Sequence, residues 1–223
     1  MDHPTRLFDF IQYQLTHNPQ EKAYGNRQGG QWTYYSTQET IDKANQVSRG
    51  LLKLGVKPGD KIAMAVYQNR PEWVVLDLGI QQVGAINVPV YPTSSPAEYE
   101  YIFNDAEVKY AFVGKDDLYD KVSKAKANVP SLQEIYTFDH KEGLKYWEDI
   151  FSEEGQDEVE TIKAKINPSE LATIIYTSGT TGEPKGVMLS HRNIASNVMD
   201  VMEIFPIDNE HKVLSFLPVC HIF

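Results

Sequence analysis

The residues best suited to chemistry in this chain form one short run, from Tyr176 to Gly186. It reads Tyr-Thr-Ser-Gly-Thr-Thr-Gly-Glu-Pro-Lys-Gly, so hydroxyl side chains and glycines surround a single lysine, Lys185. Glycines let backbone N–H groups approach a ligand closely, hydroxyls donate further hydrogen bonds, and the lysine adds a positive charge. The run, hereafter called the phosphate loop, therefore predicts a polyphosphate-binding site.

The flanking residues distinguish the phosphate loop from a Walker A loop. A Walker A loop ends in Gly-Lys-Ser/Thr at the start of a helix, whereas Lys185 here lies between a proline and a glycine. The apolar residues 187–189 predict a short strand. Ser190 then predicts the N-cap of a helix over 191–205, with Pro206 ending it. The order strand, loop, strand, helix excludes a Walker-type nucleotide-binding unit.

Two segments carry a family resemblance. The eleven-residue phosphate loop resembles the signature of the adenylate-forming, or AMP-binding, superfamily, which includes acyl-CoA synthetases, luciferases and the adenylation domains of peptide synthetases. Residues 217–223 read Leu-Pro-Val-Cys-His-Ile-Phe and resemble the next motif of these enzymes, a Leu-Pro-x-x-His element near the acyl pocket. Its His-Ile-Phe ending is similar to the version in long-chain fatty acid–CoA ligases. Residues 88–98 and 32–36 resemble upstream segments of the family.

The resemblance implies a reaction and a set of site residues. In this family a carboxylate attacks the α-phosphate of ATP, and coenzyme A then converts the acyl-adenylate into a thioester. ATP with its magnesium ion, a fatty acid and coenzyme A are the implied ligands. His221 is the implied catalytic residue, near the acyl-adenylate junction. The implied phosphate-binding residues are Thr177, Ser178, Gly179, Thr180, Thr181, Gly182 and Lys185.

The chain departs from the family in length. Relatives continue with a Tyr-Gly-x-Thr-Glu element, a ribose-binding aspartate, a hinge and a C-terminal domain with a catalytic lysine. None of these follows Phe223 in this sequence. The resemblance therefore implies a fragment of a ligase that is inactive alone. Two alternatives stay open: a naturally short nucleotide-binding or interaction protein, and a ligase for an aryl, short-chain or amino acid.

Alternating strand and helix patterns predict an α/β fold of mostly parallel sheets flanked by helices. Ser36 with Glu39, and Ser95 with Glu98, predict capping boxes that start two helices. His191 and Arg192 are predicted to be exposed at the start of the last helix. Three regions are predicted: a first α/β subdomain at 1–150, an irregular acidic linker at 151–170, and a sheet element at 171–223 that carries the phosphate loop.

Composition limits the classes of partner. The net charge is −10, with 31 acidic and 21 basic residues, which argues against nucleic-acid binding and against a polybasic membrane patch. Cys220 is the only cysteine, so the sequence favours a reducing, cytoplasmic location without disulfides. No apolar run is long enough to span a membrane. Weak peripheral membrane contact and a homodimer are left open.

Overall fold

A computed structural model of the chain describes residues 3–177, 183–205, 207–208 and 210–220. Its helices are α1 Leu7–His17, α2 Thr37–Lys53, α3 Pro71–Gln82, α4 Pro96–Asp105, α5 Asp116–Lys126, α6 Gln156–Lys163 and α7 His191–Ile204, with a short 3-10 helix at Trp147–Ile150. Its strands are β1 Tyr24–Gln28, β2 Gln31–Tyr35, β3 Lys61–Ala65, β4 Ile86–Pro89, β5 Val108–Val113, β6 Glu134–Thr137, β7 Leu171–Thr177 and β8 Lys185–Ser190.

Six strands form one sheet in the order β6-β5-β3-β4-β7-β8. The first five run parallel, and β8 returns antiparallel to β7. Strands β1 and β2 form a separate antiparallel hairpin. The prediction of a mostly parallel sheet flanked by helices is confirmed. The strand that begins at Leu171 joins the sheet of the preceding strands, because β7 pairs with β4.

Two apolar cores lie on opposite faces of this sheet, and β3 shows how one strand serves both. Ile62 and Met64 face the core formed with α1, α2 and α3, whereas Ala63 and Ala65 face the core formed with α4 and α5. This alternation follows from the two-residue period of a strand. Burial on both faces explains why β3 is apolar along nearly its whole length.

Both predicted capping boxes are present. The Ser36 Oγ accepts from the Glu39 N–H at 3.1 Å, and the Glu39 carboxylate accepts from the Ser36 N–H at 2.7 Å. The equivalent distances for Ser95 and Glu98 are 3.2 and 2.7 Å. These contacts satisfy N–H groups that the first turn of a helix leaves unpaired, so they define where α2 and α4 begin.

The prediction that residues 151–170 are an irregular linker is wrong over the eight residues of α6. Val159 is fully buried, and Ile162 and Ile166 pack beside it against the core under α2 and α3. Val159 and Ile162, three residues apart, lie on one face of this helix, and Ile166 follows just after its end. The acidic side chains that suggested a linker are spread around the remainder of this helix, where solvent screens their repulsion.

Some features are absent from the part of the chain that the structure describes. None of its helices is both long and apolar enough to cross a membrane. No cluster of His, Cys, Asp and Glu side chains there is arranged to hold a metal ion. Cys220 is buried as a free thiol, and burial raises its pKa.

Candidate functional site

Strands β7 and β8 hold the two ends of the phosphate loop side by side. Their antiparallel register pairs Thr177 with Lys185 and Tyr176 with Gly186. A residue predicted to donate a hydroxyl and the residue predicted to supply the cation therefore lie opposite each other where the loop leaves the sheet. The other predicted phosphate-binding residues, Ser178, Gly179, Thr180, Thr181 and Gly182, lie outside the described residues.

A cleft of about 390 Å³ adjoins this end of the hairpin. It opens at the carboxyl ends of β4 and β7, which is where ligands bind in open α/β sheets. The first turns of α4 form its opposite wall. The lining residues that bear on ligand binding are Thr93, Ser94, Glu98, Ile102, Thr177 and Pro184. Thr93, Ser94 and Thr177, which carry hydroxyl groups, therefore line a space of the size that small-molecule ligands occupy.

The charges around the cleft fit an anionic ligand. Lys185 is exposed and makes no ion pair with any residue in the described ranges. The one acid in the cleft lining, Glu98, accepts a hydrogen bond from the Ser95 N–H at 2.7 Å, and hydrogen bonding with Ser95 lowers the pKa of its carboxyl group. Its charge is therefore already directed at a helix N-terminus. The hydroxyls and the lysine ammonium are left available for phosphate oxygens.

Gly186 allows the two strands to pack closely beside the loop. A Cβ atom at this position would lie 2.8 Å from the Ile174 Cγ2 atom and 3.2 Å from the Tyr176 Cζ atom. Both atoms belong to the neighbouring strand, and the methyl group sits on a branched carbon that moves little. A side chain at position 186 would push the hairpin apart. The glycine that ends the phosphate loop is thus required by packing.

The start of the second predicted motif, residues 217–220, is held by Asn69, and its Pro218 lines a second, larger cleft that is described below. The Asn69 side chain donates to the Ser215 and Leu217 carbonyls at 3.0 and 2.8 Å and accepts from the Val219 N–H at 3.3 Å. Burial raises the pKa of Tyr91, a cleft-lining residue, and the adjacent Cys220 thiol raises it further. Asn69 was not predicted as a functional residue. The only hint in the sequence that Asn69 has such a role is the run of polar residues at 68–70, which follows β3. His221 lies outside the described residues.

The prediction that His191 is exposed is wrong, whereas Arg192 is exposed as expected. His191 is 1% exposed and packs edge-on against Phe8 with ring centroids 5.5 Å apart. Its Nδ1 atom accepts from the Leu7 N–H at 3.2 Å. Burial, together with the positive charge of Arg6, lowers its pKa from 6.5 to about 4. The residue is a neutral structural link between α1 and α7.

A larger cleft of about 700 Å³ opens at the carboxyl ends of β3 and β5. Tyr67, Asn69 and Lys115 line it, together with Arg70. The Arg70 guanidinium is paired with Glu72 at 3.0 Å and with Asp139 at 3.1 Å, so its charge is compensated. The smaller cleft is the better candidate site, because it adjoins the phosphate loop and Lys185, which makes no ion pair within the described ranges.

The sequence of this chain was compared with protein families and with known proteins. The family model described as AMP-binding enzyme matches residues 11–223. The chain is 29% identical over 209 residues to long-chain-fatty-acid–CoA ligase FadD15 of Mycobacterium bovis, an alignment that covers 92% of this chain and 35% of the relative. It is 31% identical over 223 residues to human long-chain-fatty-acid–CoA ligase 6, covering 88% of this chain and 30% of the relative.

Solved structures show the same fold. The crystal structure of ATP-bound MatB from Rhodopseudomonas palustris superposes with a TM-score of 0.70 at 27% identity, and the match covers 91% of this chain and 38% of that one. A structure described as a long-chain-fatty-acid CoA ligase from the same organism gives a TM-score of 0.76 at 20% identity, covering 91% and 48%. The chain spans about a third of the length of the sequence relatives compared above.

Proposed function

The chain belongs to the family of AMP-binding enzymes, and we propose that its phosphate loop and the adjoining cleft bind the phosphates of ATP. The observation that carries this proposal is the pairing of Thr177 with Lys185 beside the cleft. Hydroxyl groups and an ammonium group gathered around one place stabilise negative charge on phosphate oxygens. Ser178, Gly179, Thr180, Thr181 and Gly182 are proposed to complete the set of donors.

The proposed reaction is ATP-dependent activation of a long-chain carboxylate, followed by transfer to coenzyme A. The names of the two ligase relatives support this substrate class. Cys220 of the 217–223 motif also supports it, because its thiol influences the pKa of Tyr91, a residue that lines the cleft. His221 is proposed to lie near the acyl-adenylate junction. Magnesium is proposed to arrive with the nucleotide.

We further propose that these 223 residues supply the nucleotide-binding part of such a ligase and not its complete chemistry. The alignments cover only 35% and 30% of the length of the two ligase relatives, so most of each relative lies outside the region that matches this chain. Residues 1–150, 151–170 and 171–223 remain the proposed subdivision of this part, with α6 inside the second region. Carboxylate-dependent exchange between ATP and pyrophosphate should be undetectable for the chain alone. Turnover in this assay would refute the proposal that the chain lacks part of the catalytic machinery.

Binding of MgATP to the chain tests the phosphate site directly. Replacing Lys185 by Met removes the unpaired charge, so calorimetry should show affinity weakened roughly tenfold or more. Lys124→Met is the matched control, since Lys124 is an exposed lysine on α5 away from the cleft. Equal affinities for wild type, Lys185→Met and Lys124→Met would contradict the proposed site.

The cellular setting is also proposed. A cytoplasmic location is supported by the presence of a single cysteine, which cannot form a disulfide framework within the chain. Exposed apolar side chains on β8 and α7 support two proposed kinds of association, a homodimer and weak contact with lipid surfaces. Cell fractionation tests the location, and sedimentation with and without lipid vesicles tests the two kinds of association.

A further inference from the structure

Tyr176 joins the base of the phosphate loop to the end of a distant helix. Its ring is 6% exposed and packs in the core that contains the buried side of α4. Its hydroxyl donates to the Asp105 carboxylate with a separation of 2.5 Å. Asp105 is the last residue of α4, 71 positions earlier in the chain. The contact therefore connects the hairpin that carries the loop to the helix that forms the opposite wall of the cleft.

The opposite strand is shaped to admit the tyrosine ring. Gly186 pairs with Tyr176, and a Cβ atom there would come within 3.4 Å of the phenol oxygen. The ring consequently lies over the glycine with its hydroxyl pointing to α4. Burial of the ring explains why position 176 holds an aromatic residue, but a phenylalanine ring would be buried equally well. The hydroxyl group needs a separate explanation.

A short hydrogen bond to a carboxylate is strong and directional. Tyr176 precedes Thr177 in β7, and Thr177 is paired with Lys185. Glu98 and Ile102 on α4 line the cleft that these residues border. Holding the Tyr176 hydroxyl against the end of α4 therefore restricts how the loop-bearing end of the hairpin can move relative to the cleft.

We propose that Tyr176 and Asp105 are positioning residues, whose hydrogen bond holds the two strand ends at Thr177 and Lys185 in the orientation that binds a polyphosphate. The inference rests on the proposed function, because it concerns the same phosphate site. Neither side chain needs to touch the ligand. Both act through the strand ends at Thr177 and Lys185.

Electrostatics alone makes the opposite prediction for Asp105, which allows a sharp test. A carboxylate near an anion site repels the anion, so any neutral replacement should strengthen binding. If Asp105 instead positions the loop, Asp105→Ala and Asp105→Asn should differ. The asparagine side chain keeps an oxygen that accepts from the Tyr176 hydroxyl, whereas alanine removes the partner of this part-buried hydroxyl.

The experiment measures magnesium pyrophosphate binding to the full chain by calorimetry. Asp105→Ala and Tyr176→Phe should each weaken binding roughly tenfold, equivalent to the loss of one good hydrogen bond. Asp105→Asn should bind at least as tightly as wild type. The double variant Tyr176→Phe/Asp105→Ala should be no weaker than either single variant, because both remove the same interaction.

Tighter or unchanged binding by Asp105→Ala would overturn the proposal, as would equal affinities for Asp105→Ala and Asp105→Asn. Additive losses in the double variant would also overturn it. Melting temperatures are measured in parallel. A weakening of binding that merely tracks a lower melting temperature would mean that the bond has a general structural role.

Hydrogen exchange separates failure of this inference from failure of the proposed function. Wild type that binds neither ATP nor pyrophosphate would refute the phosphate site. In that case, amide protection at Thr177, Lys185 and Gly186 still tests the positioning bond. Protection at these three residues should fall in Tyr176→Phe and Asp105→Ala and recover in Asp105→Asn. Unchanged protection would overturn the inference whatever the ligand result.

Discussion

At the scale of single residues, His191 links stability to pH. Its pKa falls from 6.5 to about 4 because the ring is buried near the Arg6 charge. The folded state therefore takes up fewer protons than the unfolded state between these values. This stabilising contribution is complete above pH 6.5 and is lost as the pH falls toward 4, an expected change of about 3 kcal/mol.

Urea unfolding at a series of pH values between 7 and 4 measures this effect. His191→Gln keeps an acceptor for the Leu7 N–H but cannot take up a proton, so its stability should depend less steeply on pH than that of wild type. His17→Gln is the matched control, because His17 is an exposed histidine of α1. Parallel pH profiles for wild type and His191→Gln would show that His191 is not the linked group.

Asp77 predicts a pH effect of opposite sign. Burial raises the pKa of its carboxyl group to about 6, despite hydrogen bonds from Asn87 at 2.7 Å and Gln81 at 2.8 Å. Stability from this group is present below pH 3.8 and is lost as the pH rises through 6. The buried amide oxygens of Asn87 and Gln81 also lack partners among the described residues.

An Asp77→Asn variant should therefore be more stable than wild type at pH 7, by about 1–3 kcal/mol. Its amide carries no charge, its oxygen still accepts from one neighbour, and its N–H group donates to the unpaired oxygen of the other once that amide turns over. Thermal unfolding at pH 7 and pH 4 measures the change, and the gain should shrink at the lower pH. A variant less stable than wild type at pH 7 would mean that the carboxylate is the preferred partner.

Residue roles were predictable from the sequence where they depend on neighbours along the chain. Ser36, Ser95 and Ser190 are N-caps as predicted, because a cap is decided within a few residues. The burial of His191 and the partner of Tyr176 depend on α1 and α4, which lie far away in sequence. No local pattern carries that information.

At the scale of elements, α2 contacts the 3-10 helix at Trp147–Ile150 so closely that only glycine fits. A Cβ atom at Gly50 would lie only 1.8 Å from the Ile150 carbonyl oxygen. In an exposed helix, glycine to alanine stabilises by up to about 1 kcal/mol. Here Gly50→Ala should instead destabilise by roughly 2–4 kcal/mol, because a backbone must move.

The midpoint of urea unfolding measures the Gly50→Ala effect. Lys53→Ala, at an exposed position of the same helix, is the control and should change stability by less than about 0.5 kcal/mol. A gain in stability on Gly50→Ala would contradict the close contact between α2 and the 3-10 helix.

Element types were largely predictable, but two elements show the limits. Helix α6 was missed because the prediction gave more weight to its acidic residues than to the three-residue spacing of Val159 and Ile162. The β1–β2 hairpin was not predicted, although its strands are joined by Gly29 and Gly30 at positive φ. Charge composition describes the solvent side of an element, whereas burial is decided by its minority apolar face.

At the scale of the molecule, the α/β class follows from the alternation of strands and helices, but the strand order does not. The order depends on non-local pairings such as β4 with β7. The exposed apolar side chains of the described residues are also distributed unevenly. Most lie on β8, on α7 and in residues 207–217, for example Met188, Val201 and Met202.

Such an accumulation promotes association of the isolated chain. A double variant, Val201→Lys/Met202→Lys, should reduce binding of an apolar fluorescent dye and reduce self-association, with little change in melting temperature. Asn197→Lys adds charge at an exposed polar position of the same helix and is the control. A wild-type chain that is monomeric and binds no dye would contradict the expectation.

The central claim is that the phosphate loop and its adjoining cleft form the anion site, and a titration followed by backbone NMR tests it most directly. Magnesium pyrophosphate is added to the labelled full chain. The account predicts the largest shifts at Thr177, Lys185, Thr93 and Ser94, around the smaller cleft. Shifts confined to the larger cleft near Tyr67 and Lys115, or no shifts at all, would contradict it.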